Sequence, residues 1–489
     1  MIATTVTWTK RLALSTFVFI LASTAALVWL ADLDETAGAQ LTDGDVMTRV
    51  FAMPALAALA ALTLLTACAV QPVVKPTTPS TDDSQPTLPY LAQVVGVQWL
   101  NPLQRRDYST EWQLLWTLGL VQPNKDDDMV RANQKKYSAL QIIGPVASGN
   151  DGKETFTGYY HKYLEKFLYY QRHLYFTNPR YFYNAHSRDK KAWRELAGIR
   201  VECALPKDKL DPVEASNYLK KEIKSFFDIG HPSFPNAWTR DTPPDVRVTM
   251  GGPNAGFTSL VAALDYLQAH PNETVWAMNW DAPSRPKDEQ LNENLVLLVL
   301  AGPGFKTERA ALAWIGYPAV KSVADFEAKD GLPSSTAQAW QATLSDATRN
   351  GRKQNADIGY VIHDANNRHA DSPQRLGNLA QTLTTEVPNL DFVSRTFNTS
   401  ALLGEMGAGS ALTNVALAIA YANHMGKNVL VTGTTDAEHP TALLVTPPET
   451  VRPINHEARW FRARGENHAY LMWWGIRHGE TVRTQGFSD

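Results

Sequence analysis

The sequence predicts an α/β protein whose body is made of two similar halves. Two observations point there. Continuous apolar runs, "NENLVLLVLAGPGF" and "KQNADIGYVIHDANNR", have the texture of strands covered on both faces. Two glycine turns, "GGPNAGFTS" and "LGEMGAGSAL", each open a helical pattern that leads into a short strand. A third observation concerns what precedes the body. Two long uncharged runs place membrane-spanning helices ahead of it.

The first run is "LALSTFVFILASTAALVWLA", residues 12–31, and the second is "VFAMPALAALAALTLLTACAV", residues 50–70. Both are apolar all round, which suits a lipid environment better than a one-sided core. Lys10 and Arg11 precede the first run, an acidic loop separates the two, and Lys75 follows. Counting basic residues favours a two-helix hairpin in the inner membrane with the body in the cytoplasm. Arg49, on the loop side, runs against it. A second reading starts at Met47, where "MTRVFAMPALAALAALTLLTAC" has the form of a lipoprotein signal. Cys68 would then be acylated and the body would be periplasmic. Residues 71–90 are rich in Pro, Thr and Ser and read as a tether.

The body divides at the sequence level into residues 91–335 and 336–489. "YLAQVVGVQWL" reads as a buried strand and "STEWQLLWTLGLV" as a helix with a Ser cap. "YSALQIIGPVASG" reads as a further strand. The aromatic segment Gly158 to Asn184 starts with helical spacing, so Tyr160, Tyr163, Phe167 and Tyr170 share a face. "PVEASNYLKKEIKSFFD" is an amphipathic helix with a solvated Lys-Lys-Glu face. Then the pattern repeats. Gly256 opens a helix leading to "ETVWAMNWD", and Gly409 opens one leading to "KNVLVTGTTD". Each is followed by one more apolar strand, "LVLLVLAG" and "TALLVTPP". A turn–helix–strand–strand unit used twice is the mark of a duplication.

Composition narrows the function. An apolar fraction of 44% supports a packed body. A net charge of −3 without a basic block argues against nucleic acid as a partner. Two cysteines, Cys68 and Cys203, provide neither a disulfide framework nor a Cys-rich zinc site. Cys203 reads as a small buried hydrophobe.

The paired glycine turns resemble the thiolase-like fold of the ketoacyl synthases, over roughly Leu91 to Pro448. That resemblance implies a nucleophilic Cys at the first-half turn and two His from the second half that move protons and stabilise the intermediate. This chain departs at each place. Its first turn holds Pro253 or Asn254 where the nucleophile would stand, and its "Gly-His-Thr" turn reads Gly404, Glu405, Met406. His363, in "VIHDANNR", lies near the remaining position. A carboxylate does not replace an imidazole as an oxyanion donor at neutral pH unless its pKa is strongly raised. No Claisen-type condensation is expected, and no cofactor.

Taken together, the hydrophobic N-terminus, the tether, "GGPNAGF", "VWAMNWDAP", "NENLVLLVLAGPG" and "LGEMGAGSAL" resemble the type VI lipase adapter family. The resemblance implies a non-catalytic protein that binds a lipase effector and helps load it onto the spike protein at the tip of a type VI secretion system. The alternative is a membrane-associated acyl-handling or hydrolytic enzyme, which would use Ser259 or Glu405 with His363; Thr258 is, with Ser259, the other hydroxyl that could stand in for the nucleophile, and neither has a paired base in view.

Other chemistry is thinner. His363, Asp364, His369 and Asp371 crowd one loop, but their spacing matches no common metal site, and no metal is expected. "GGPNAG" reads as a tight turn that lets a helix pack on a sheet, ahead of an anion cradle. The C-terminal stretch alternates Trp and Tyr with Arg, the composition of interface anchors. Trp473, Trp474 and Arg477 are the residues expected to contact a partner. A core-wrapping element with outward Arg side chains is the competing reading.

Overall fold

The computed structural model describes residues 88–100, 110–121, 200–207, 209–226, 244–281, 294–306, 310–329, 331–365 and 371–456. All of them fall in one compact unit, Thr87–Asp489. Both hydrophobic runs, residues 71–87 of the tether, the "YSALQIIGPVASG" strand, the aromatic segment from Gly158 and the C-terminal stretch with Trp473, Trp474 and Arg477 lie outside the described residues.

The first half supplies β1 (Ala92–Leu100), α1 (Thr110–Thr117), β2 (Arg200–Pro206), α2 (Pro212–Phe226), β3 (Asp245–Gly251), α3 (Ala255–Ala269), β4 (Thr274–Asp281) and β5 (Asn294–Ala301). The second half supplies β6 (Ala313–Ile315), β7 (Ala319–Val320), α4 (Ser335–Asn350), β8 (Ile358–His363), α5 (Ser372–Glu386), β9 (Thr396–Asn398), α6 (Thr399–Leu403), α7 (Ser410–Met425), β10 (Asn428–Gly433) and β11 (Thr441–Thr446).

These strands form one sheet in the order β3-β2-β4-β5-β1-β6-β11-β10-β8-β9, with β7 paired to β11. The order exposes the duplication. In the first half β2 pairs in parallel with β3 and β4, and β4 pairs antiparallel with β5. In the second half β8 pairs in parallel with β9 and β10, and β10 pairs antiparallel with β11. Each half adds its own first strand beyond its last, β1 beside β5 and β6 beside β11. The halves meet where β1 and β6 pair antiparallel. Sequence periodicity had already placed the repeated helix–strand–strand units; the strand order shows that the repeat extends to whole half-sheets.

Alternation along each strand sorts the side chains into two layers. Val429 and Val431 of β10, with Leu443 and Val445 of β11, face the layer that holds α1, α3 and α7. Leu430, Ala442 and Leu444 face the opposite layer, against Trp340 and Leu344 of α4 and Leu379 and Leu383 of α5. Strands β4, β5 and β11 are buried along their whole length, as continuous apolar runs require. Helix α7 is apolar on nearly every side and is buried almost throughout, so it is the central helix of its layer. Helix α3 crosses it closely. A Cβ on Gly256 would lie 2.9 Å from the Cβ of Ala411, so the crossing needs a residue without a side chain. Helix α2 keeps Ala215, Leu219 and Ile223 inward and its lysines outward, as its amphipathic pattern predicts.

Candidate functional site

The two glycine turns precede the two central helices, and each is held by the far half. The turn before α7 runs through Met406–Gly409. The last pair of the β4–β5 ladder, Asp281 opposite Asn294, grips it. The Ala408 backbone N–H donates to Asp281 Oδ2 at 2.8 Å. Asn294 Nδ2 reaches the Met406 carbonyl at 3.4 Å. Asn279 Nδ2 donates to the Gly409 carbonyl at 2.6 Å. A Cβ on Gly409 would fall inside the Asn294 carboxamide, which fixes glycine there. Lys209 Nζ, 3.3 Å from Asp281 Oδ1, supplies the counter-charge for that buried carboxylate.

The turn before α3 runs through Gly251–Asn254 and meets the last pair of the β10–β11 ladder, Gly433 opposite Thr441. Here the residue types are exchanged. The carboxamide sits on the turn, as Asn254, and the glycine sits on the strand. A Cβ on Gly433 would collide with Asn254 Oδ1. Asn254 Nδ2 lies 3.4 Å from Thr441 Oγ1, and its Oδ1 is buried with no hydrogen-bond partner among the described residues. Asn254 precedes α3 without capping it through its side chain. The position where a nucleophile was sought therefore holds a packing amide.

His363 ends β8 and is buried. Its Nδ1 accepts from the Ala365 backbone N–H at 3.3 Å, which places the proton of the neutral ring on Nε2. Burial pushes its pKa down from 6.5 to about 4, so the ring is neutral at pH 7. Phe392 stacks on it at 6.1 Å. The next residue, Asp364, is fully buried, and burial raises its pKa against the pull of two bonds from Thr434. Those come from the backbone N–H at 2.7 Å and the hydroxyl at 2.9 Å. Asp364 thus fixes the chain just after Gly433, the residue that Asn254 covers.

The remaining candidates are placed apart in role. Ser259 is fully buried on α3, and its hydroxyl has no partner among the described residues, so no hydrogen bond joins it to His363. Thr258 is exposed beside it. Glu405 is half-buried and engaged in an interaction of its own. Asp371 precedes α5 and pairs with Arg375 at 2.5 Å. His369 lies outside the described residues, as does Cys68. Among the described residues no group of three His, Cys, Asp or Glu is placed to hold a metal ion. Cys203 is buried in β2, and burial pushes its thiol pKa up, away from the thiolate.

Sequence reading missed the gripping residues Asn279, Asp281 and Asn294. The usable signal was there: three polar side chains at the ends of two otherwise apolar strands. Such residues are buried only where they find hydrogen-bond partners.

Residues 312–447 match the family model for the C-terminal part of the type VI lipase adapter protein Tla3. That interval runs from just before β6 to just after β11, which is the second half-sheet with its helices. Among curated proteins, none matches the sequence. Among solved structures, the chain is similar to the ketosynthase of module 6 of the bacillaene synthase from Bacillus subtilis 168, at TM-score 0.47 and 10% identity over 74% of this chain and 72% of that one. It is similar to the oxazolomycin ketosynthase domain OzmH KS8 from Streptomyces albus JA3453, at TM-score 0.43 and 12% identity over 77% of this chain and 100% of that one. The ishigamide ketosynthase/chain length factor gives TM-score 0.43 and 14% identity over 73% of this chain and 99% of that one.

Proposed function

We propose that this chain is a non-catalytic adapter that binds a lipase effector and helps load it onto the spike protein of a type VI secretion system. The observation that carries the reading is the family match over 312–447. The geometry supports it. The first-half turn presents Asn254, packed over Gly433, in place of a nucleophile. His363 is buried against Phe392 and turned toward Ala365. Nothing in this arrangement supplies a nucleophile with a base in hydrogen-bond reach, which acyl transfer needs. In this reading the body works as a binding scaffold. Trp473, Trp474 and Arg477 are our proposed contacts, on composition alone. We place the body in the cytoplasm behind an inner-membrane hairpin, with acylation of Cys68 and a periplasmic body as the rival topology.

The test is affinity capture with the full chain, solubilised from its native cells and read by mass spectrometry. The adapter reading expects a lipase, a spike protein or both among the captured chains. A folded bait that captures neither overturns it. Trp473→Ala and Trp474→Ala are expected to weaken capture without lowering the melting temperature; unchanged capture by both would move the contact surface elsewhere.

A further inference from the structure

A buried carboxylate outside the two turns has no part in the reading above. Glu111 of α1 is fully buried. Its Oε1 lies 3.1 Å from Nε2 of His424 on α7, which is also buried. The same oxygen lies 3.4 Å from Nη1 of Arg452, whose side chain is about half exposed at 49%. Neither carboxylate oxygen completes a well-aligned hydrogen bond among the described residues. A buried carboxylate is costly without a cation, and Arg452 reaches it from the surface.

Arg452 belongs to the segment that follows β11. Three further contacts lay this segment across the end of α7. The Arg452 backbone N–H donates to the Asn423 carbonyl at 2.9 Å. Val451 rests over Gly426, where a Cβ would come within 3.2 Å of it and where φ is +64°. Ile454 packs on the core of the inner layer. Asn423 also donates through Nδ2 to the Leu312 carbonyl at 2.7 Å, and Leu312 donates its backbone N–H to Val94 in β1 at 2.8 Å. The segment is therefore tied at one place to α1 of the first half, α7 of the second and the connection between the half-sheets.

We propose that residues 447–456 form a strap latched by Arg452 onto Glu111. The single ion contact engages one guanidinium nitrogen and leaves half the side chain in solvent, so the latch can open without unpacking the core. While it is shut, it fixes where the chain beyond residue 456 leaves the body. When Arg452 withdraws, Glu111 keeps His424 as its ion-pair neighbour among the described residues, and the lost charge pairing biases the strap toward the shut position. The inference stands on these contacts and does not depend on the adapter reading.

Hydrogen exchange of the full chain tests it. Arg452→Gln keeps a polar side chain of moderate length and removes the charge, and the half-exposed position tolerates the change. The expected result is roughly tenfold faster exchange confined to residues 447–456, with β10 and β11 unchanged. Arg452→Lys is expected to restore part of the protection. Unchanged exchange in 447–456 overturns the latch. Faster exchange spread over the whole body also overturns it, since Arg452 would then be supporting the fold at large.

Discussion

The turn before α7 and the turn before α3 solve one packing problem in opposite ways. Both must bring a backbone bend against the end of an antiparallel ladder in the other half. Before α7, the bend is bare at Gly409 and the ladder supplies Asn279, Asp281 and Asn294. Before α3, the bend supplies Asn254 and the ladder is bare at Gly433. In each case one side gives up its side chain so that the other can enter. The difference lies in what the polar groups reach. Asn279, Asp281 and Asn294 of the first clamp each bond a backbone group, whereas Asn254 reaches only the Thr441 hydroxyl. Among the described residues each clamp leaves one buried carboxamide oxygen without a partner, Asn279 Oδ1 and Asn254 Oδ1. With three bonds to backbone groups, the clamp before α7 is the better hydrogen-bonded of the two.

The sharpest way to break the comparison is at Gly409. Gly409→Ala drives a methyl into the Asn294 carboxamide, and a well-packed site of this kind yields little. The expected cost is about 3 kcal/mol or more, with loss of soluble protein, read by chemical denaturation. Next comes acid. Folding keeps His363 neutral by lowering its pKa from 6.5 to about 4, so the unfolded chain binds the proton first. Stability from this group is complete above about pH 6.5 and is lost as pH falls toward 4, by about 3 kcal/mol at most. Asp364 shifts the other way, so the difference between wild type and His363→Gln is the quantity to follow. A flat difference across that window would remove His363 from the account. The smallest effect belongs to the second clamp. Gly433→Ala is expected to cost about 2 kcal/mol, and adding Asn254→Ala to return about half of it, because the clash partner is gone. Strict additivity would mean that Asn254 and Gly433 do not share the space described.

Much of this was legible before any coordinates. Continuous apolar runs fixed β5 and β11 as covered strands, and the glycine turns located α3 and α7. These signals are local, and a period or a run carries them. The letters of the two turns were legible as well, Asn254 in the first and Gly404–Glu405–Met406 in the second, neither with a Cys or His. What could not be read was the exchange between halves. Asn254 and Gly433 are distant in sequence, and only the strand order brings β10–β11 beneath the α3 turn. The same holds for Glu111, whose place near a helix start gives no sign in the sequence that it is fully buried against α7. His363 was expected beside a reactive position; its ring is instead built into the end of β8.

The central claim is that the two glycine turns serve to hold the halves of this body together and carry no acyl chemistry. A turnover screen of the full chain with acyl thioesters and phospholipids tests that most directly, with wild type compared against His363→Ala and Ser259→Ala. The account predicts no turnover above the protein-free rate for any of the three. Turnover by wild type that disappears in His363→Ala would contradict it and restore the enzyme reading.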